Sequence, residues 1–492
     1  MGTVRERKAI VIGSGIGGLS CAIRLAARGY TVEVFEKNRY PGGKLSEFSR
    51  SGYRFDKGPS LFTMPELVLE LGTLGKNPKP FHFHKLEAIT TYFYEDGTKV
   101  TAWSDKKKFA EELHRQLNEP EKNTLAHLDT ARYYYETTAG LFIEQSISKW
   151  RNFLNLKTLK GILRSPNLGL FKNMDQHNRK RFRNPKTVQL FNRYATYNGS
   201  DPYRAPALLN QIPYLEMGLG AYLPEKGMHQ ITEYLVETAK LNGVLFHFGK
   251  AVDKISHHNG KVNGIVSQNE FHSSDLVVSD IDIHPLYHHL LNDVPPPKRI
   301  LDQEKSSSAF VFYWGIRKQF PDLGLHNILF SENYRSEFNA LFGNSKPYDD
   351  PTIYINITSK YCVNDAPPGC ENWFVMVNVP HNKDGKTIDY AKELRSKVIQ
   401  KINRVLKTDI EHYIETEDTL DPMGIELQTS SYGGSLYGNA SNSSFSAFRR
   451  HANYSSTLGG LYLVGGSVHP GGGIPLCLWS GKIVDHLIRE SE

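Results

Sequence analysis

A short glycine-rich segment near the start of the chain limits most strongly what this sequence can fold into. Residues 13–18 read Gly-Ser-Gly-Ile-Gly-Gly and follow directly on the apolar run 8–12, which is typical of a buried parallel strand. Apolar residues at helical spacing continue to about Arg28, Gly29 ends the helix, and residues 31–35 predict a second strand. The order of strand, glycine turn, helix and strand predicts a βαβ unit that binds a dinucleotide.

The glycines of this turn have separate physical tasks. Gly13 allows the tight turn, Gly15 lets the backbone approach a pyrophosphate, and Gly18 lets the helix pack on the strand. The N-terminus of the helix offers N–H groups and the positive end of its dipole to phosphates. Glu36 ends the second strand, where an acidic side chain takes ribose hydroxyls. A glycine motif alone is weak evidence, but strand, helix and acid in register make the dinucleotide interpretation strong.

A second glycine-rich segment lies near the other end of the chain and favours FAD over NAD. Residues 459–467 read as a strand that ends in Gly-Gly, and residues 470–475 lead into a helix predicted over about 476–488. One dinucleotide approached by backbone from both ends of the chain indicates a long, buried FAD.

The length of the chain predicts more than one domain. At 492 residues the chain exceeds the roughly 250–300 residues at which a single core stops growing. Dinucleotide-type signals at the start, middle and end predict interleaved domains. Four cysteines lie far apart without a CxxC pair, which argues against a disulfide framework or a zinc knuckle and fits a reducing compartment. Strands are predicted at 244–248, 251–256, 261–267, 276–279, 310–315, 352–358 and 373–379, and helices over much of 105–195 and at 390–406.

One segment carries the positive charge of the chain. Between Lys149 and Arg193 there are twelve Lys and Arg residues and one acid, Asp175, so this segment is more positive than the whole chain at +7. Its basic, apolar-interleaved pattern favours binding to a membrane surface. The alternative is a solvated charged face, and a nucleic-acid role is disfavoured because no nucleic-acid module surrounds the run. No stretch is long and apolar enough to span a bilayer, so we expect a soluble or peripheral protein.

Several motifs together resemble the bacterial-type phytoene and carotenoid desaturases. They are the segments 13–18, 36–37 with 41–44, 52–60, 212–218 and 469–475, and the resemblance spans nearly the whole chain. Gly-Gly-Lys at 42–44, where many relatives carry Gly-Gly-Arg, looks more like the hydroxycarotenoid 3,4-desaturase branch. The implied fold class is α/β: an FAD-binding Rossmann-type domain, glutathione-reductase or amine-oxidase-like, interleaved with a mixed helix/sheet substrate domain. The implied FAD-binding segments are 1–75, 225–290 and 425–492, and the substrate and membrane-association segments are 76–224 and 291–424.

The resemblance also implies which residues contact FAD. Lys44 would neutralise pyrophosphate charge, Val252 lies on a strand that could reach adenine, and Asp282 could instead cap a loop. The complete set, from motif and resemblance, is Gly13, Ser14, Gly15, Gly17, Gly18, Glu36, Lys37, Lys44, Pro59, Ser60, Val252, Asp282, Gly466, Ser467, Gly473, Ile474 and Pro475.

The implied reaction removes two hydrogens from a lipophilic carotenoid by hydride transfer to flavin, with quinone or oxygen as possible electron acceptor. No catalytic side chain is predicted, and the histidine pairs are expected to be structural rather than metal ligands. The implied place is the cytoplasm, at the inner face of the membrane. Alternatives are a phytoene desaturase, an amine or porphyrinogen oxidase, a flavin-dependent carotenoid isomerase, and a non-catalytic lipid escort protein of the Rab dissociation-inhibitor kind.

Overall fold

The computed structural model describes residues 7–142, 169, 172–383, 385, 390–443 and 449–492. Within these ranges the strands, numbered in chain order, are β1 (Lys8–Ile12), β2 (Thr31–Glu36), β3 (Glu47–Arg50), β4 (Tyr53–Asp56), β5 (Phe83–Lys85), β6 (Ala88–Phe93), β7 (Lys99–Trp103), β8 (Tyr222–Pro224), β9 (Leu245–Phe248), β10 (Val252–His258), β11 (Lys261–Ser267), β12 (Glu270–Ser273), β13 (Leu276–Ser279), β14 (Ser308–Ile316), β15 (His326–Leu329), β16 (Ile353–Asn356), β17 (Glu371–Val379), β18 (Ile414–Leu420) and β19 (Leu461–Leu463). The helices of eight or more residues are α1 (Ile16–Ala27), α2 (Glu66–Leu74), α3 (Lys106–Leu117), α4 (Glu121–Phe142), α5 (Met174–Arg181), α6 (Pro185–Asn192), α7 (His229–Leu241), α8 (Ala391–Leu406), α9 (Pro422–Thr429) and α10 (Ile474–Ser491).

A parallel five-stranded sheet brings distant parts of the chain together. Its strand order is β19-β13-β1-β2-β9, and every pairing is parallel. Helix α1 contacts both α7 and α10 beside this sheet, and the apolar residues of the three helices share one core with β1 and β2. The central strands β1 and β13 are short, buried apolar runs, as parallel sheets with covered faces require. The sheet therefore places the first and the last strand of the chain two positions apart.

A second, seven-stranded sheet forms the other large layer. Its order is β18-β14-β17-β16-β15-β6-β7, antiparallel except between β15 and β6. All nine residues of β14 are buried because both faces of the sheet are covered. Helix α8 packs its apolar residues on one face, and the hairpin of β3 and β4 packs aromatic residues on the other. This double burial explains the continuous apolar sequence of β14.

The predicted elements agree with the structure best where the pattern is long. The predicted strands 261–267 and 276–279 coincide with β11 and β13, and the helix predicted at 390–406 begins one residue later. The sequence did not predict β5 to β7: β5 has only three residues, and β6 is buried without alternation, whereas β7 alternates and could have been predicted. Strands β15 and β18 were missed as well, being short or rich in charged residues.

The basic segment is described only in part. Residues 149–168, 170 and 171, which carry the predicted basic amphipathic helix, lie outside the described residues. The prediction that the cations of this segment face a membrane surface is wrong for Arg193. This residue is 6% exposed and lies inside the protein, because the buried carboxylate of Glu216 and tyrosine rings stabilise its charge. Among the described residues, none of the helices is long and apolar enough to cross a membrane.

Candidate cofactor site

The glycine turn between β1 and α1 is tightly closed. Gly13 has a φ of +95°, a conformation that favours glycine, and its N–H donates to the Phe35 carbonyl at 2.8 Å. A Cβ atom on Gly18 would lie 2.3 Å from the Gly13 carbonyl oxygen, so this approach excludes any side chain. Helix α1 begins after Gly15, a residue that provides no side-chain cap. The turn therefore has the close backbone approach and helix start that the sequence predicted.

The glycine turn near the other end of the chain lies directly against this first turn. A Cβ atom on Gly17 would lie 2.8 Å from the Gly465 backbone nitrogen. The Val464 N–H donates to the Ser279 carbonyl at 2.9 Å, which extends the sheet register into the second turn. Gly465 donates its N–H to Ser480 Oγ of α10 at 2.9 Å. The two glycine turns therefore form one continuous surface, and the expected convergence of the chain ends on one site is observed.

Glu36 closes the side of the site formed by β2. Its carboxylate is 5% exposed and accepts hydrogen bonds from Ser14 N at 2.9 Å and Ser14 Oγ at 2.7 Å. The other oxygen accepts from Asn38 N at 2.9 Å. Since a carboxylate offers about four acceptor sites, Glu36 keeps capacity for one further donor such as a ribose hydroxyl. The strand β2 thus ends at the edge of the glycine turn, as the motif predicts.

Asp280 is a residue of this site that the sequence analysis missed. It follows β13 directly, and its carboxylate lies beneath both turns: Cβ atoms on Gly15 and Gly465 would lie 2.4 and 2.2 Å from its oxygens. The N–H groups of Gly15 and Gly18 donate to it, and burial raises its pKa to about 7. Its position as the first residue after a predicted strand was the available signal. Asp280 therefore occupies the anion-binding position at the start of α1.

Lys44 lies on the opposite wall, beside the loop that contains Pro59 and Ser60. A Cβ atom on Gly58 would lie 2.0 Å from the Lys44 carbonyl oxygen, so these two segments touch. The Lys44 amine donates to the Leu436 carbonyl at 2.7 Å, and burial lowers its pKa. Lys37 lies apart from these groups: its amine donates to Leu427 O at 2.7 Å and Ser430 Oγ at 2.8 Å, toward α9.

The remaining predicted residues reach the site from two sides. Asp282 accepts from His284 N at 3.0 Å, which is the loop-capping alternative considered for it. The Ile283 N–H donates to Ser467 Oγ at 3.1 Å and so ties this loop to the second glycine turn. Val252 begins β10 two residues after Lys250, whose N–H donates to the Glu36 carbonyl at 2.9 Å. Gly466 precedes Ser467, and Gly473, Ile474 and Pro475 open α10.

Lys44 lies within electrostatic reach of Asp280, Asp282 and Cys477, and all four residues are only partly buried. The ring of Tyr437 lies against Gly472, where a Cβ atom would be 2.9 Å away. Glycine backbone, helix N–H groups and the Lys44 amine on neighbouring segments suit the pyrophosphate of a dinucleotide.

Comparisons with known proteins agree with this geometry. Residues 16–484 match the family described as flavin containing amine oxidoreductase. A 1-hydroxycarotenoid 3,4-desaturase of Flavobacterium sp. (strain P99-3) is 50% identical over 483 residues, which cover 98% of this chain and 99% of that protein. A 4,4'-diapolycopene oxygenase of Methylomonas sp is 34% identical, with 97% of each chain covered.

The fold also matches solved structures. An oxidoreductase from Methanosarcina mazei superposes with a TM-score of 0.64 at 16% identity, covering 98% of this chain and 100% of that one. That likeness supports the fold class. Together these matches confirm the predicted α/β flavoenzyme fold, the FAD cofactor and the predicted oxidoreductase class. Since the family match covers almost all of the sequence, the chain belongs to the family of flavin containing amine oxidoreductases.

Proposed function

We propose that this chain is an FAD-dependent carotenoid desaturase that introduces the 3,4 double bond into a 1-hydroxylated carotenoid. The observation that carries the proposal is the 50% identity to a 1-hydroxycarotenoid 3,4-desaturase across 98% of this chain. The motifs of the sequence point to the same branch. The two adjoining glycine turns supply the close backbone approach that a bound dinucleotide needs.

The predicted contact residues form the proposed FAD cradle. The pyrophosphate is proposed to lie at the glycine turn of residues 13–18, with Glu36 on the ribose and Val252 near adenine. The second turn and the start of α10 are proposed to flank the flavin end, together with Pro59 and Ser60. The contact between Gly17 and Gly465 supports this placement, because a cofactor seated on one turn must also meet the other.

Bound FAD supplies an oxidised ring that accepts hydride from an activated C–H bond. The protein's own part is to hold the cofactor and the substrate, to orient them toward each other and to exclude water. Backbone N–H groups of Gly15 and Gly18 hold the Asp280 carboxyl group beneath the glycine turn. Aromatic side chains such as Tyr354 and Tyr437 are partly buried near these segments, and their rings favour an extended polyene over water. Such exclusion of water protects a cationic polyene until its proton leaves.

The predicted domain division remains a proposal with structural support. All strands of the parallel sheet come from segments 1–75, 225–290 and 425–492. All strands of the seven-stranded sheet come from 76–224 and 291–424. We also propose that the basic segment 149–193 docks on the cytoplasmic membrane surface, since the substrate resides in the bilayer, with quinone or oxygen as the electron acceptor.

One experiment tests the function and its alternatives. Protein reconstituted with FAD is incubated with a 1-hydroxylated carotenoid in liposomes, and products are separated and weighed by mass spectrometry. Loss of two hydrogens with a red-shifted spectrum supports desaturation. Unchanged mass with a new isomer, a gain of oxygen, or no reaction together with no bound flavin would each overturn the proposal in favour of an isomerase, an oxygenase or an escort protein.

A further inference from the structure

The proposed substrate carries one polar group close to the reacting bond. In a 1-hydroxylated carotenoid desaturated at the 3,4 bond, two carbon–carbon bonds separate the hydroxyl-bearing carbon from the first reacting carbon. The hydroxyl oxygen therefore lies within roughly 5 Å of the reacting carbons, given ordinary bond lengths. A buried hydroxyl needs a hydrogen-bond partner, so its partner must be near the flavin. This inference rests on the proposed function.

Tyr354, on β16, meets that requirement. Its hydroxyl lies 2.6 Å from Ser60 Oγ and 2.7 Å from His326 Nδ1. Ser60 belongs to the loop proposed to flank the flavin. A phenol oxygen has one hydrogen and two lone pairs, so these two contacts leave it room for a third hydrogen bond. Tyr354 is therefore oriented by two partners without being saturated.

His326 leaves a buried donor beside this tyrosine. Its Nδ1 also lies 3.1 Å from Asn356 Nδ2, which can only donate, so Nδ1 is the acceptor. Burial lowers the pKa of His326 to about 3, so the ring is neutral and carries its proton on Nε2. Among the described residues Nε2 has no hydrogen-bond partner although His326 is 3% exposed. A buried donor without a partner points to a bound oxygen group.

Tyr354 also lies near the proposed cofactor site. It is only partly buried, as Tyr437 is, and the two tyrosines interact electrostatically. The ring of Tyr437 lies between Gly472 of the second glycine turn and Gly199, where a Cβ atom would be 3.0 Å away. Tyr437 thus connects the cofactor walls to the region of Tyr354.

A neighbouring group of buried polar residues is a weaker candidate. We name it the inner polar cluster: Tyr92, Arg193, Tyr194, Tyr197 and Glu216. Glu216 accepts from Tyr194 Oη at 2.9 Å and from Tyr197, while Arg193 Nη2 donates to Tyr92 Oη at 2.9 Å. These side chains mainly satisfy one another, which is the pattern of a structural network.

We propose that the Tyr354 hydroxyl, oriented by Ser60 and His326, binds the tertiary hydroxyl of the carotenoid end group and thereby selects hydroxylated over unhydroxylated polyenes. The tyrosine is a specificity-determining residue: it fixes which bond lies at the flavin, and it takes no part in the chemistry.

Tyr354→Phe tests this role because it removes one oxygen and keeps the ring. kcat/KM is measured for the 1-hydroxylated carotenoid and for the same polyene without the hydroxyl, in liposomes, with flavin content determined for each preparation. We expect the wild type to have the higher kcat/KM for the hydroxylated substrate. In Tyr354→Phe the ratio of the two kcat/KM values should fall at least ten-fold. The change should arise from a higher KM for the hydroxylated substrate, with unchanged flavin content. Tyr94→Phe is the matched control, since Tyr94 is also a tyrosine of the seven-stranded sheet region and its buried hydroxyl donates to the Lys186 carbonyl, away from Ser60 and His326.

The outcomes separate the two proposals. Loss of preference in Tyr354→Phe and its retention in Tyr94→Phe support the inference. Desaturation with the same preference in Tyr354→Phe as in the wild type, or no preference in the wild type, overturns the inference and leaves the desaturase proposal standing. A wild type that desaturates neither polyene overturns both.

Discussion

The cofactor site and the inner polar cluster are both buried and polar, but they are built in opposite ways. At the cofactor site backbone groups and glycines provide the contacts, and a Cβ atom on Gly17 or Gly18 would collide with neighbouring backbone. In the inner polar cluster long side chains meet one another: Arg193 lies 4.5 Å above the Tyr194 ring and 4.0 Å from Glu216. Substitutions that add atoms should therefore disrupt the cofactor site, whereas substitutions that remove atoms should destabilise the inner polar cluster.

The largest effect is expected in the inner polar cluster. Arg193→Leu leaves the Glu216 carboxylate buried without its cation, which costs about 3–5 kcal/mol of unfolding free energy. Urea unfolding measures the loss. Arg132→Leu is the control, since Arg132 forms an exposed pair with Glu136 and such pairs contribute at most about 1 kcal/mol. If Arg193→Leu lowered the unfolding free energy no more than Arg132→Leu does, the charge of Arg193 would not be what stabilises the inner polar cluster.

The next effect tests the addition of atoms at the cofactor site. Gly18→Ala places a methyl group 2.3 Å from the Gly13 carbonyl oxygen, and we expect it to cost about 1–3 kcal/mol of stability and to lower bound flavin. The ratio of flavin to protein absorbance and a denaturant titration measure both. Gly140→Ala is the control, because a Cβ atom there meets no described residue within 4 Å and alanine favours helix α4. Normal flavin content in Gly18→Ala would contradict the proposed cradle.

Asp280 predicts how the cofactor site responds to pH. Its folded-state pKa of about 7 lies above the ordinary 3.8, so the folded chain holds this proton more tightly than the unfolded chain. The resulting stability is fully present below about pH 4 and is lost as pH rises toward 7. An added pyrophosphate also favours the protonated form, so FAD affinity should fall above about pH 7, by up to about ten-fold per pH unit.

Asp280→Asn should remove both trends. The groups that face Asp280 from neighbouring elements are Glu36, Lys44 and Cys477, and they are retained in the variant. FAD affinity by fluorescence quenching and unfolding free energy are measured from pH 5 to 9. Identical pH profiles for wild type and variant would show that another group controls them.

The smallest effect is expected at Lys37. The sequence predicts a cofactor contact, whereas the structure directs the amine to Leu427 O and Ser430 Oγ. We expect Lys37→Met to change stability by no more than about 0.5 kcal/mol and FAD affinity by less than three-fold. A loss of affinity of ten-fold or more would place this amine on the cofactor and extend the site toward α9.

The same contrast explains what the sequence could and could not predict. The glycine turn, Glu36 and the second turn carry local patterns with fixed spacing, so their place in the fold followed from sequence. Tyr354, His326 and Ser60 come from three separate segments and meet only through the seven-stranded sheet and its neighbouring loop. Asp280 was missed because its contacts with Gly15 and Gly465 join segments that are far apart in the sequence. Arg193 was counted as a surface cation, since burial of a charge depends on partners far along the chain.

The contact between Gly17 and Gly465 has a consequence for the order of synthesis. The first glycine turn leaves the ribosome long before its facing wall and α10. The cofactor site can therefore form only after α10 has also been made. A nascent chain that stops before α10 is expected to emerge without flavin, so loading with FAD reports that both glycine turns have come together.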